Sequence, residues 1–150
     1  KQITFDEPSS LKEINEQTFE SCESLNDIKI PSSITAIKAS AFSKSGLTSI
    51  EIPSSVKVIA KCAFSGCSSL KKVSFEANSS IEVLGQHAFD GCFALNDIAI
   101  PSSVHSIDIN CFNECRSLNE IAIPSSVQTI SPGAFNCCLS LTKVTFAEPS

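Results

Sequence analysis

The sequence predicts a repeat solenoid, in which short coils of chain stack on one another and share one hydrophobic core. Two observations predict this fold. A Pro-Ser-Ser signature, or a variant of it, recurs about every 23 residues, and apolar residues recur at fixed offsets within each unit. Because a unit this short cannot bury its own hydrophobic face, neighbouring units must cover it.

The chain of 150 residues divides into six repeats with a partial repeat at each end. We therefore expect one domain over residues 1–150, built from these repeats. They span residues 8–30, 31–52, 53–75, 76–100, 101–123 and 124–146. The sequence lacks methionine and starts in the middle of the repeat pattern, so we expect it to be a piece of a longer array.

One apolar column of the repeats consists entirely of phenylalanine. Its members follow the Pro-Ser-Ser signature at a nearly constant distance, and we expect them to form a single inward file. They are Phe19, Phe42, Phe64, Phe89, Phe112 and Phe135.

A short strand is predicted near the end of each repeat. In the segment 70–75, Val73 and Phe75 alternate with Lys72 and Ser74. Alternation of this kind is typical of a half-buried strand, with the apolar side chains inward and the polar ones outward. We expect strands of adjacent coils to pair in parallel. The Ser-Ser-Val-x-x-Ile stretch then returns along another side, and Ala63-Phe64 suits a single helical or 3₁₀ turn.

The repeat as a whole reads Leu-x-x-Ile-x-Ile-Pro-Ser-Ser-Val-x-x-Ile-x-x-x-Ala-Phe-x-x-Cys, as Leu70 to Cys92 and Leu118 to Cys138 show well. This pattern resembles the BspA-like class of leucine-rich repeats over essentially the whole chain. The resemblance implies a right-handed curved solenoid with a parallel β-sheet on the concave face. It implies short strands, turns or 3₁₀ or helical turns on the convex side, giving a β-rich, horseshoe-like fold.

Two repeats depart from the pattern. The second repeat is one residue short in the segment 42–47 and lacks the usual cysteine, so we expect a local disturbance there. The fourth repeat has Asn78 in place of proline. Asn78-Ser79-Ser80 fits the acceptor pattern for N-glycosylation, but the interpretation that we favour from the sequence is the turn of the repeat with asparagine in place of proline.

The eight cysteines are expected to be free thiols. Five of them lie three residues after the repeat phenylalanine and form one column: Cys22, Cys67, Cys92, Cys115 and Cys138. Side chains on successive rungs about 4.8 Å apart point the same way, which is poor geometry for a disulfide. Cys111 takes the place of an alanine and should be buried, whereas Cys62 and Cys137 fall at turns and should be more exposed. A redox or intermolecular role for those two stays open.

Several classes of function are disfavoured. A net charge of −5 and a pI near 5.0 argue against nucleic-acid binding, and no apolar run is long enough for a transmembrane helix. The sequence has no Gly-rich phosphate loop and no Gly-x-Ser-x-Gly motif, while His87 and His105 lie on separate repeats. The cysteine spacings do not fit a zinc site. We therefore predict neither an enzyme nor any metal or cofactor.

The outward positions of the strands are the natural contact surface of a curved solenoid. Our candidates for protein binding are the charged residues there: Asp27, Lys29, Glu51, Lys72, Asp97 and Glu120. Because their charges are mixed, a merely solvated face is the alternative.

The resemblance implies a function as well as a fold. It points to a secreted or cell-surface adhesion protein of a microbe, binding proteins of host cells or matrix, or other microbes. An intracellular, cytoplasmic scaffold or a structural spacer is the alternative, because unpaired cysteines suit a reducing compartment. The end coils lack polar caps, so we also expect end-to-end self-association.

Overall fold

The structure, a computed structural model, describes residues 2–148 and is a solenoid of parallel strands with no helix among those residues. We number the coils 1 to 6 after the six repeats. The strands are β1 Gln2–Ile3, β2 Glu13–Ile14, β3 Asp27–Ile28, β4 Ala36–Ile37, β5 Ser49–Ile52, β6 Val58–Ile59, β7 Lys72–Phe75, β8 Val83–Leu84, β9 Asp97–Ile98, β10 Ser106–Ile107, β11 Glu120–Ile123, β12 Thr129–Ile130 and β13 Lys143–Phe146.

Each coil has three sides. The even-numbered strands form one continuous six-stranded parallel sheet, which we call the back sheet. The odd-numbered strands lie on the side that carries the candidate binding residues, which we call the sheet face. The third side, the turn side, holds the segments around the repeat phenylalanines. The predicted stacking of coils with parallel strands is confirmed.

The sheet face is divided along its length. Its strands form a pair β1-β3, a triplet β5-β7-β9 and a pair β11-β13. Within each group the register aligns equivalent repeat positions, so Lys72 lies opposite Ser49 on one side and Asp97 on the other. The sequence predicted the register of these columns but not the two interruptions.

The turn side is a ladder of turns, and the single turn expected at Ala63-Phe64 is present, since the Ser65 N–H donates to the Cys62 carbonyl at 3.0 Å. Each coil donates backbone hydrogen bonds to the next, as from Phe42 N–H to the Ala63 carbonyl at 2.8 Å. Residues two before and two after the phenylalanine have positive φ, such as Ser40 at 55° and Lys44 at 56°. A left-handed residue cannot continue a right-handed helix, so the chain makes successive turns instead.

The six repeat phenylalanines form the predicted inward file. Consecutive rings are stacked with centroids 5.2–5.4 Å apart and interplanar angles of 2–18°. The four central members are fully buried, and the two end members are half-buried. Together with the isoleucine, leucine and valine columns they form one continuous core.

Coil 2 compensates for its missing residue in two ways. Ser45 takes the place of the cysteine and is buried, with its hydroxyl 3.4 Å from the Cys67 thiol. Gly46 passes so close to coil 1 that an added Cβ would stand 2.0 Å from the Glu23 carbonyl oxygen. The shortened turn therefore requires glycine at this position because its backbone touches the backbone of the preceding coil.

Candidate functional site: the sheet face

All six predicted binding residues are exposed on the sheet face. Strand alternation places them there, and β5 shows it clearly, since Ser49 and Glu51 are exposed while Ile50 and Ile52 are buried. The buried side chains belong to the core that holds the coils together. The outward ones are consequently free to differ from coil to coil without disturbing the packing.

The first groove lies over coils 1 to 3 and has a volume of about 350 Å³. Four of the predicted residues line it: Asp27, Lys29, Glu51 and Lys72. Lys29 and Glu51 occupy the same outward column on adjacent coils, and in the described part of the chain neither has an ion-pair partner. This groove therefore offers one unpaired cation and one unpaired anion side by side.

The second groove lies over coils 4 to 6 and has a volume of about 320 Å³. The remaining two predicted residues, Asp97 and Glu120, line it together with Ala99 and Ala122. Lys143 binds Glu120 at 3.2 Å, an ion pair that the sequence analysis did not identify. Because Asp97 and Glu120 are both in ion pairs and two alanines take outward positions, this groove presents fewer unpaired charges than the first.

An ion pair stands between the two grooves. Lys72 Nζ lies 2.8 Å from Asp97 Oδ2, and Lys72 lines the first groove while Asp97 lines the second. It belongs to a wider charge pattern that the sequence already contained. Coil 3 has four lysines and no acidic residue, whereas coil 4 has four acidic residues and no lysine or arginine. Electrostatic attraction between these two coils therefore stabilises the contact between them.

A further exposed row on coils 4 to 6, which we call the corner row, lies three residues before the repeat position of Asn96, which lines the second groove, and was missed from the sequence. The Arg116 guanidinium lies 4.6 Å from the centre of the Phe93 ring, and Glu114 accepts a hydrogen bond from it at 2.6 Å. Leu139, at the same repeat position on coil 6, is 78% exposed. Phe93, Arg116 and Leu139 are spaced by 23 residues, and that spacing is the signal that could have found them. Arginine and aromatic side chains are frequent anchors of protein interfaces.

The cysteine column lies inside the solenoid and offers no reactive site. Cys67, Cys92 and Cys115 are buried free thiols, as predicted, and each donates to the carbonyl of the phenylalanine one coil earlier at 3.0–3.3 Å. Burial raises the pKa values of these thiols, so they stay protonated and unreactive at neutral pH. Cys22 and Cys138, on the end coils, are half-buried.

The two turn cysteines differ from each other. Cys137 is exposed, as expected, but Cys62 is half-buried. Burial raises the pKa of Cys62; the charge of Lys61 opposes this effect and that of Asp90 adds to it. Asp90 is itself engaged, since its carboxylate lies 2.7 Å from His87 Nδ1 and accepts from the Asn113 amide at 2.7 Å. His87 is therefore half-buried in a polar network and not simply a surface residue.

Residues 2–148 contain no group of three or more His, Cys, Asp or Glu side chains arranged to hold a metal ion. The same residues contain no helix with the length and hydrophobicity that a membrane span needs. Both grooves are open troughs lined by outward strand residues and, at their floor, by core isoleucines such as Ile50 and Ile98. An extended, open surface of this kind suits contact with another macromolecule.

The family follows from the comparison with known repeats. Six copies of the BspA type leucine-rich repeat region match the chain, over residues 1–82 and 35–150. The chain belongs to the BspA-type leucine-rich repeat family. Proteins of the leucine-rich repeat class are generally non-enzymatic scaffolds for protein interaction. No curated protein sequence matches this BspA-type chain.

Solved structures show the same fold. A leucine-rich repeat protein of T. pallidum is 31% identical with a TM-score of 0.59, over 73% of this chain and 62% of that one. A leucine-rich cell surface protein of Faecalibacterium prausnitzii is 22% identical with a TM-score of 0.54, over 95% and 59%. The pneumococcal vaccine antigen PcpA is 21% identical with a TM-score of 0.52, over 97% and 32%. The BspA-type chain thus spans from about a third to three fifths of these proteins.

Proposed function

We propose that the chain is a non-enzymatic adhesion module of a microbial surface protein, which binds host-cell or matrix proteins through its sheet face. The observation that carries the proposal is the placement of all six candidate residues on one exposed face above two open grooves. The family supports a protein-interaction role, and one of the similar structures is described as a cell surface protein.

The contact should be broad and polar. Charges of both signs line the first groove, and the corner row adds an exposed aromatic ring and an exposed leucine on coils 4 to 6. A partner that spans both grooves would meet unpaired charges at one end and small apolar side chains at the other. Affinity per fragment should be modest and should grow when several such contacts act together along a longer array.

The proposal is tested by binding to immobilised fibronectin, collagen and laminin, with charge exchange on the sheet face. The variant Lys29→Glu with Glu51→Lys reverses both unpaired charges and keeps the net charge. Its matched control, Lys57→Glu with Glu82→Lys, makes the same exchange between adjacent coils at exposed positions beside the back sheet.

We expect the sheet-face exchange to weaken binding about tenfold or more, as for loss of a desolvated charge contact, and the control exchange to leave it unchanged. Equal effects of the two exchanges would show that the sheet face is not the contact surface. Absence of binding to every matrix protein and to host cells would contradict the adhesive function.

The second candidate is an intracellular scaffold or a purely structural spacer. Its supporting observation is that all eight cysteines are free thiols, which suits a reducing compartment. Protease treatment of intact cells separates the two: release of peptides from this segment supports surface display, and full protection supports the intracellular alternative.

Self-association through the coil ends is part of the proposal. Coil 6 exposes Val144 at 42% and Phe146 at 67%, which are inward positions in the preceding coils. Burying such side chains against the first coil of a second copy would continue the core. Light scattering on the chain at rising concentration should show growing mass, with less growth for Phe146→Ser. A monomer at every concentration would contradict this part.

A further inference from the structure

The loop that follows β7 is two residues longer than the loops that lead into coils 2, 3, 5 and 6, and it shares this length with the loop at residues 5–8. Two extra residues lead from the strand to Asn78, which stands where the other repeats have proline. Asn78 is exposed and has a left-handed backbone with φ of 60°. We propose that Asn78 is an N-linked glycosylation site and that its glycan stands beside the second groove.

The acceptor pattern occurs once in the chain. Asn78 is the only one of the eight asparagines with serine or threonine two positions later. Glycosyl transfer to asparagine needs both groups, because the enzyme holds the hydroxyl while the carboxamide reacts. Among the residues described, neither the Asn78 carboxamide nor the Ser80 hydroxyl takes part in a hydrogen bond.

The fold treats Ser80 differently from its counterparts in coils 2, 3, 5 and 6, whereas Ser10, which follows the other long loop, is exposed like Ser80. In the coils that begin with Pro31, Pro53, Pro101 and Pro124, the second serine of the signature is half-buried. Ser55 and Ser126 donate to carbonyls of the preceding coil at 2.7 Å. The hydroxyls of Ser33 and Ser103 are buried. Ser80, by contrast, is exposed, so the longer loop lifts this hydroxyl away from the coil below.

The loop is anchored beside the acceptor. The Glu76 carboxylate accepts from the Ser54 backbone N–H at 2.9 Å, while Asn78 projects freely. Glu76 also places an acidic residue two positions before the asparagine, which oligosaccharyltransferases of the bacterial type require in addition to the hydroxyl. The pentapeptide 76–80 therefore fits both types of enzyme.

The reaction needs a polyprenyl diphosphate-linked oligosaccharide as the donor. A bond forms between Asn78 Nδ2 and C1 of the first sugar, while the bond from C1 to the diphosphate oxygen breaks. The diphosphate leaves with that electron pair, and Nδ2 loses one proton to a base. No oxidation or reduction takes place.

The glycan would restrict access to the sheet face. Asn78 and Ala99 both line a recess of about 300 Å³, and Ala99 also lines the second groove. A protein partner of the second groove would consequently have to approach from the side of the corner row. This inference rests on the surface display proposed above, because glycosylation of this kind accompanies export.

The test uses the protein on its own cells. Peptides shaved from intact cells are treated with peptide N-glycosidase in heavy-oxygen water, and intact glycopeptides are analysed in parallel. We expect the intact peptide with Asn78 to carry a glycan, and the enzyme-treated peptide to carry the heavy-oxygen label that removal of the glycan leaves at this position. Recovery of that peptide from the surface in unmodified form would overturn the glycosylation while leaving surface display intact. Failure to recover any peptide would overturn both.

Matched variants separate the modification from folding. Ser80→Ala removes the acceptor hydroxyl and should abolish the glycan completely, whereas Ser79→Ala and Ser80→Thr should keep it. All three should unfold at temperatures close to that of the parent chain. A glycan that persists in Ser80→Ala would contradict the assignment to this pattern.

Discussion

The phenylalanine file and the outward columns of the sheet face run along the same six coils, yet only the file is uniform. Consecutive rings keep centroid distances of 5.2–5.4 Å from end to end. The outward positions change charge and size at almost every coil. The difference shows that stacking constrains the interior of each coil and leaves its surface free. The binding proposed for the sheet face would therefore use residues that contribute little to stability.

Removing one ring from the file should have the largest effect. Phe89→Ala deletes a fully buried side chain that stacks on Phe64 and Phe112, and it should cost about 3–5 kcal/mol of unfolding free energy. Phe93→Ala is the matched control, because Phe93 is 42% exposed. Urea denaturation of both variants measures how much unfolding free energy each one loses. Equal losses would mean that the file does not dominate the core.

The short turn of coil 2 should be nearly as sensitive. Gly46→Ala puts a Cβ 2.0 Å from the Glu23 carbonyl oxygen, so backbone must move, at about 2–3 kcal/mol. Ser68→Ala, at an exposed turn position of coil 3, is the control and should change stability by less than about 0.5 kcal/mol. A tolerated Gly46→Ala would show that coils 1 and 2 are not held in contact there.

Alkaline pH should lower the free energy of unfolding, because burial disfavours the deprotonated form of the core thiols. Burial raises the pKa of Cys92 well above its ordinary value of 9.0, so the folded state keeps a proton that the unfolded state loses above that pH. The stability contributed by the protonated thiol is complete below about pH 9 and declines above it, by about 1.4 kcal/mol per pH unit.

Urea denaturation across this range measures the slope. Cys92→Ala should reduce the slope by one proton, whereas Ser68→Ala, at an exposed position without a thiol, should leave it unchanged. Stability that rises with pH in this range would contradict the assignment.

Glycine at a left-handed turn position should raise the stability of the chain, in contrast to the substitutions described above, which lower it. Lys44 has φ of 56° at the position where coils 3 and 4 have Gly66 and Gly91. Lys44→Gly relieves that strain and should stabilise the chain by about 0.5–1 kcal/mol. Lys57→Gly, at an exposed position without positive φ, should destabilise it by a similar amount. Thermal unfolding of these two variants measures the difference. A loss of stability in both would show that the backbone at Lys44 is not strained.

The sheet face should show the smallest effect on stability. Lys72→Ala removes the ion pair with Asp97, whose side chains are 55% and 56% exposed, and should cost less than about 1 kcal/mol. High salt should abolish even this difference. A cost approaching that of Phe89→Ala would mean that the sheet face is structural and would weaken its assignment to binding.

The sequence alone determined the solenoid, the inward phenylalanine file and the membership of each column. It could do so because the same apolar spacing recurs in every coil, and a repeated spacing leaves one way to bury all the columns together. It determined in the same way that the six charged candidates point outward. It did not identify the corner row, although Phe93, Arg116 and Leu139 share one repeat position.

Only the tertiary structure decided how neighbouring coils meet. The interruptions of the sheet face, the close approach at Gly46 and the separate characters of the two grooves depend on contacts between residues more than 20 positions apart. The turn side was decided there as well, because left-handed residues are stabilised by hydrogen bonds to the next coil and not by local preference. A repeat pattern specifies which residues face inward, whereas backbone contacts between coils set the shape of the surface that remains.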